Sequence, residues 1–280
     1  MPIEHRLVCG DSRKLSWLDD GCVDVVCTSP PYFNLLTYDR SPGQLGTDDA
    51  TYDQFLEQLL AVWTECHRVL RPSGVMLLNV GDVAVSRKQA GRHFLYPLVA
   101  DTTVALRSTG LNFVAQLVWS KIGNMAREGE GRGYLGKPFM PNGIVPLDSE
   151  AIIVAEKDGP EAASAIWTGE PIDNIINDIP GAQKIGGHPA PYPPALIERL
   201  LPRFAQPGDS VLDVFCGTGT TIIVANRLRM RGIGSEVSLP FADFAAQRIR
   251  EELDTRLTLF STDAPTLRYD REGVSAALAS

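Results

Sequence analysis

Three features of the 280-residue chain predict an α/β fold, a mostly parallel sheet with helices on both faces. Apolar runs of strand length alternate with stretches whose apolar residues recur at helical spacing, the pattern of repeated βαβ units. One run, Val211-Leu212-Asp213-Val214, leads into a glycine turn and a helix start. Another, Val23 to Cys27, runs out into Thr28-Ser29-Pro30-Pro31-Tyr32. Loops at the ends of strands are where open α/β sheets keep their chemistry.

Taken in chain order, the first element is the buried strand at Val23, Val25, Val26 and Cys27. Tyr52, Phe55, Leu59, Val62, Cys66 and Val69 then mark a core-facing helix that ends at Arg71-Pro72-Ser73-Gly74. A strand is expected over Val75–Val80, a helix over His93–Leu106, and strands over Phe113–Trp119 and Ala151–Ala155. Pro160, Gly169, Pro171, Pro180 and Gly181 break up Glu156 to Ile185. The strand at 211–214 and its glycine turn precede a helix marked by Ile222, Ile223, Ala225, Leu228 and Met230, and then a short strand, Gly232 to Glu236. After about Leu259 the chain becomes rich in Ala, Ser and Thr, which reads as a loosely packed tail over 261–280. Residues 1–260 are expected to form one domain.

Two loops carry the chemistry. Consecutive prolines at 30 and 31 fix two φ angles and remove two donors, so the Ser29 and Pro30 carbonyls are rigid acceptors. With the Ser29 hydroxyl and the Tyr32 ring, the loop can grip a planar molecule bearing an exocyclic amine, and a nucleobase fits. The alternative is a proline-stiffened surface turn. In the second loop, Phe215-Cys216-Gly217-Thr218-Gly219-Thr220-Thr221, glycines permit close approach of a ligand and the helix start offers free N–H groups. Glu236, at the end of the next strand, has the spacing of a ribose-binding acid.

Composition narrows the function classes. No apolar run approaches the length of a membrane span, and the start, Met-Pro-Ile-Glu-His, lacks the regions of a signal peptide, so the expected location is cytoplasmic. Five scattered cysteines without a Cys-x-x-Cys pair read as reduced core residues, and the four histidines show no metal-ligand spacing. A net charge of −8 opposes nonspecific nucleic-acid binding. Yet residues 121 to 147 sum to +2 and contain six glycines. Lys121, Asn124, Arg127, Arg132 and Lys137 there are candidate DNA contacts, with Tyr134, Phe139 and Asn142 beside them. A plain surface loop is the alternative.

Together the loops at 28–32 and 213–221 resemble those of the DNA amino-methyltransferases, which move a methyl group from S-adenosyl-L-methionine to an exocyclic nitrogen of cytosine or adenine. The catalytic strand precedes the glycine loop, an order similar to the circularly permuted beta class. Leu7 to Ser12, Leu78 to Asp82, Val118 to Lys121, His188 to Pro193 and Gly43-Gln44-Leu45-Gly46 resemble further segments of that family, so the likeness spans most of residues 5 to 250. It implies a Rossmann-like methyltransferase fold, with target recognition at about 121–147 and 156–185. It also implies cofactor contacts from Asp11, Thr28, His188, Pro189, Asp213, Phe215, Gly217, Gly219, Thr220, Thr221 and Glu236. Asp213 has an alternative role in orienting its loop, and Asp11 in capping a helix.

Ser29, Pro30, Pro31 and Tyr32 are implied to hold a flipped base for direct transfer. No Pro-Cys dipeptide is present, which disfavours the ring-carbon cytosine enzymes and their cysteine nucleophile. Ser at position 29 points to cytosine N4, with adenine N6 as the alternative and an RNA base as a further one. The implied partner is double-stranded DNA. A second copy of the chain and a cognate restriction endonuclease are partners the resemblance leaves open.

Overall fold

The computed structural model describes residues 3–33, 41–47, 50–85, 90–92, 94–121, 149–160, 173–182, 184–188, 191–260 and 264–272, with the backbone alone at 256–260. Its centre is a nine-stranded sheet. In chain order the strands are β1 (Glu4–Cys9), β2 (Val23–Thr28), β3 (Leu70–Val80), β6 (Leu111–Ser120), β7 (Ser149–Lys157), β8 (Ile175–Ile176), β9 (Ser210–Asp213), β10 (Arg231–Glu236) and β11 (Thr266–Arg271). A separate hairpin pairs β4 (Val83–Val85) with β5 (Phe94–Tyr96). Across the large sheet the order is β11-β1-β10-β9-β2-β3-β7-β6-β8. Only β7 runs against its neighbours β3 and β6, and every other pairing is parallel.

Alternation along the central strands feeds two cores. Val26, Met76, Leu78 and Leu212 share one face with Phe55, Leu59 and Trp63 of helix α1 (Tyr52–Val69). Leu98 and Leu106 of α2 (Leu98–Ser108) join them. Val25, Cys27, Val75, Leu77 and Val211 face the other way, toward Leu196, Ile197 and Leu200 of α3 (Pro194–Phe204). Val224 and Ala225 of α4 (Thr220–Arg227) pack there as well. Leu7 and Ile222 bury against Ala245, Ala246 and Ile249 of α5 (Leu239–Phe260). Because β1, β10, β9, β2 and β3 are parallel, Asp11, Glu236, Asp213, Ser29 and Gly81 all emerge at one edge of the sheet.

Three expectations change. The helix expected over His93–Leu106 starts at Leu98: Phe94–Tyr96 is strand, and Pro97, which has no N–H to continue a helix, stands at the N-cap. His93 itself lies outside the described residues. Residues Thr266–Arg271, expected within a loose tail, form the edge strand β11 parallel to β1. Leu267 and Tyr269 pack on the α5 core, and Arg6 Nε bonds Asp270 at 3.1 Å. Four cysteines are buried as expected, but Cys22 is exposed. No described helix is long and apolar enough to cross a membrane.

Candidate active site at the carboxyl edge of the sheet

The glycine loop takes its shape from two left-handed residues. Gly217 has φ +51° and Gly219, the N-cap of α4, has φ +81°. A methyl group added at Gly219 would also lie 3.2 Å from Ala245 and from Ile249. Gly219→Ala is therefore expected to cost about 1–2 kcal/mol from the backbone conformation, read as a lower urea midpoint with an unchanged slope. The loop is tied to β10 by Glu236, whose Oε2 accepts from Gly217 N at 2.8 Å and whose Oε1 accepts from Ser238 N at 2.9 Å. A carboxylate has about four acceptor positions, so Glu236 can take further hydrogen bonds from a ligand in the cleft it lines.

Asp213 sits beneath this loop, 1% exposed. Its carboxylate accepts from Thr28 Oγ1 at 2.7 Å, Tyr192 OH at 2.6 Å, Thr221 Oγ1 at 2.5 Å and Phe215 N at 3.1 Å. Burial pushes its pKa up, and the bonds from Thr221, Tyr192 and Thr28 pull it back. Asp213, Thr28 and Thr221 are thus a buried brace joining the ends of β2 and β9 to α4. Of the two roles read for Asp213, its bonds here are those of the loop-orienting one.

Ser29, Pro30, Pro31 and Tyr32 border the same cleft as Phe215, Gly217, Thr220 and Glu236. Tyr32 is mostly buried and is followed by Phe33, whose ring contacts Tyr52, Phe55 and Tyr96 at centroid distances of 5.3–5.4 Å. This aromatic cluster anchors the end of the loop. Behind Tyr32 lies Gly81, where an added Cβ would come 3.7 Å from the ring and 2.9 Å from Glu150 Cγ. A side chain there would have to displace that of Glu150.

The cleft encloses about 900 Å³ of space, including its solvent-filled mouth. Asp11 and His188 complete its rim. Asp11 accepts from Arg13 at N and Nε, both 2.9 Å, and at NH2, 2.6 Å; the arginine holds its carboxyl below the usual range against the opposing effect of burial. His188 packs edge-on to Phe241 at 4.9 Å, and burial lowers its pKa to about 4. It is neutral at pH 7, which suits a cationic ligand. In the unfolded chain it protonates near 6.5, so stability falls as pH drops from 6.5 through 4, the unfolded state binding the extra proton. His188→Gln is expected to flatten thermal stability in that window relative to the parent, in paired melts at stepped pH.

The sequence profile of the N6/N4 DNA methylase family matches residues 23–247. The chain belongs to this family. Among its relatives, the Type II methyltransferase M.MjaI of Methanocaldococcus jannaschii is 29% identical over 283 residues, covering 88% of this methylase and 91% of M.MjaI. TTHA0409 of Thermus thermophilus, solved with S-adenosyl-L-methionine, is 33% identical with a TM-score of 0.70, covering 94% of this chain and 97% of that one. The cytosine-N4-specific PvuII DNA methyltransferase superposes with a TM-score of 0.64 over 95% of this chain and 96% of its own. At 16% identity, that match shows the shared fold alone.

Several residues at the methylase's cleft escape a reading of motifs. Ser12 Oγ donates to Val214 O at 2.5 Å and lies 3.0 Å from Ser235 Oγ, clasping the turn after β1 to the start of the glycine loop. Val237, Ser238 and Phe241 line the wall beyond Glu236. Their one signal is position, just after the strand that ends in the acid. Gln44 and Tyr192 fall within segments that resemble the family without a role of their own. Lys121, expected to face DNA, is ion-paired with Glu150 and lies 4.9 Å from the centroid of the Trp119 ring. Glu150 also accepts from Asn79 Nδ2 at 2.6 Å. The Lys121 ammonium, on a side chain 28% exposed, is paired with this carboxylate at the point where β6 and β7 close. Pro189, Asn124, Arg127, Arg132 and Lys137 lie outside the described residues.

Proposed function

We propose that this methylase transfers a methyl group to the exocyclic N4 of cytosine in double-stranded DNA. The observation that carries this reading is the meeting of the Ser29–Tyr32 loop, the glycine loop and Glu236 in one cleft, though they stand some 200 residues apart in the chain. The methyl donor is S-adenosyl-L-methionine, which supplies an electrophilic methyl on a sulfonium centre. The cleft suits it: Glu236 retains acceptor capacity for ribose hydroxyls, the glycine loop offers bare backbone, and His188 adds no competing charge. With the base flipped out of the duplex, Tyr32 stacks on its ring while the Ser29 hydroxyl and the Pro30 carbonyl accept its amino hydrogens. Those bonds hold electron density on nitrogen and aim its lone pair into the cleft. The N–CH3 bond would form as the S–CH3 bond breaks, with S-adenosyl-L-homocysteine leaving and the surplus amino proton passing to solvent; positioning does most of the work, without a covalent intermediate.

Residues 1–260 act as one catalytic domain in this reading, with the stretches at about 121–147 and 156–185 reading the DNA site. The enzyme works in the cytoplasm as the modification half of a restriction-modification pair, its compact recognition segments aided by a second copy of the chain. The test is transfer from labelled S-adenosyl-L-methionine to unmethylated genomic DNA, followed by nucleoside mass spectrometry. N4-methylcytosine is the expected product. N6-methyladenine would overturn the reading of Ser29, and label in RNA alone would overturn the substrate.

A further inference from the structure

Gln44 forms part of the cleft wall, and its side-chain Oε1 is buried without a hydrogen-bond partner among the described residues. Buried acceptors are rarely left so, and one that borders a ligand cleft is explained by a donor the ligand brings. Its neighbour shows which end of the cleft it serves. A Cβ placed on Gly43 would lie 3.2 Å from Val237 Cγ2 and 3.6 Å from Asp11 Oδ2. Val237 directly follows Glu236, so the loop carrying Gln44 crosses just beyond the ribose-binding acid. With ribose at Glu236, that is where the base of an adenosyl group lies.

Asp11 is the other acceptor at this end; Arg13 already bonds both of its oxygens, Oδ1 through N and Nε and Oδ2 through NH2, whereas Gln44 Oε1 has no bond among the described residues. We infer that Gln44 Oε1 accepts a hydrogen from the 6-amino group of the cofactor's adenine and makes the site selective for a 6-aminopurine. Asp11 in turn positions Arg13, whose NH2 reaches Gly43 O at 3.5 Å and steadies the loop. A neutral amide suits the task, since it adds no charge beside the ring. This inference rests on the cofactor orientation proposed above.

The experiment is titration calorimetry of the full chain with S-adenosyl-L-homocysteine and with S-inosyl-L-homocysteine, in which a carbonyl oxygen replaces the amine. The parent protein is expected to prefer the adenine compound. Gln44→Ala is expected to shrink that preference about three- to tenfold, the worth of one neutral hydrogen bond, while Gln44→Glu keeps it. Equal weakening of both compounds by Gln44→Ala would make Gln44 structural and overturn the inference. So would an unchanged affinity for both together with a raised KM for DNA, which would turn Gln44 toward the target base. Glu236→Gln is the control for the orientation: if it leaves S-adenosyl-L-homocysteine affinity intact, the orientation itself fails and the inference with it. If it weakens binding while the Gln44 variants do not, the inference alone fails.

Discussion

Ser29→Ala combined with Tyr32→Ala is expected to lower kcat for DNA methylation by at least about a hundredfold. Stacking of a base on an aromatic ring is worth about 1–3 kcal/mol, so loss of Tyr32 alone should slow transfer about tenfold to a hundredfold. The Ser29 hydroxyl accepts a hydrogen bond from the amine that reacts, and losing one positioned hydrogen-bond partner at a reacting group costs about 10²–10³-fold. The two losses need not add, because both hold the same base. Affinity for S-adenosyl-L-methionine should hardly change, since the glycine loop and Glu236 are untouched. Single-turnover rates with the cofactor saturating check this. A double variant that kept its single-turnover rate, or lost cofactor affinity in proportion to its rate, would remove both residues from the role proposed for them.

Asp213→Ala is expected to cost about 3–5 kcal/mol of folding stability, near the upper end for single substitutions. It strands the hydroxyls of Thr28, Tyr192 and Thr221 and the amide of Phe215, all of which bond the carboxylate. Each buried donor left unsatisfied costs about 1–3 kcal/mol, though Tyr192 and Thr221 lie close enough for one hydroxyl to donate to the other once the carboxylate is gone, which softens the sum. Asp213→Asn retains one acceptor oxygen and the volume, so its cost should be smaller. Urea unfolding read by fluorescence separates the three proteins. Should Asp213→Ala unfold like the parent yet fail to bind S-adenosyl-L-methionine, Asp213 would be a cofactor contact after all.

Much of the scaffold is legible in the chain because its causes are local. Val211-Leu212-Asp213 followed by Gly217 and Gly219 reads as strand, turn and helix, since apolar runs and residues tolerant of positive φ act over a few positions. The rigid Ser29-Pro30-Pro31 loop is likewise written in its own dihedrals. Less legible are the start of the helix expected from His93, where the aromatics at 94 and 96 are drawn into the hairpin beside Tyr52, and the strand at 266–271. Tyr96 stacks on Tyr52 at 4.2 Å, and β11 forms because β1, some 260 residues earlier, presents an open edge.

Reading the chain is enough for the α/β class, the two loops that border the cleft and the acid at Glu236, because hydrophobic period, proline and glycine impose their conformations within a few residues. It takes the folded molecule to show that Thr28, Asp213 and Thr221 form a buried brace, that Lys121 pairs with Glu150, and that Gln44 keeps an unpaired acceptor at the cleft. Those outcomes turn on which polar groups meet across strands far apart in the chain. A hydrogen bond or an ion pair needs two partners within about 3 Å, and the spacing of residues along one segment says nothing of the partner that arrives from another.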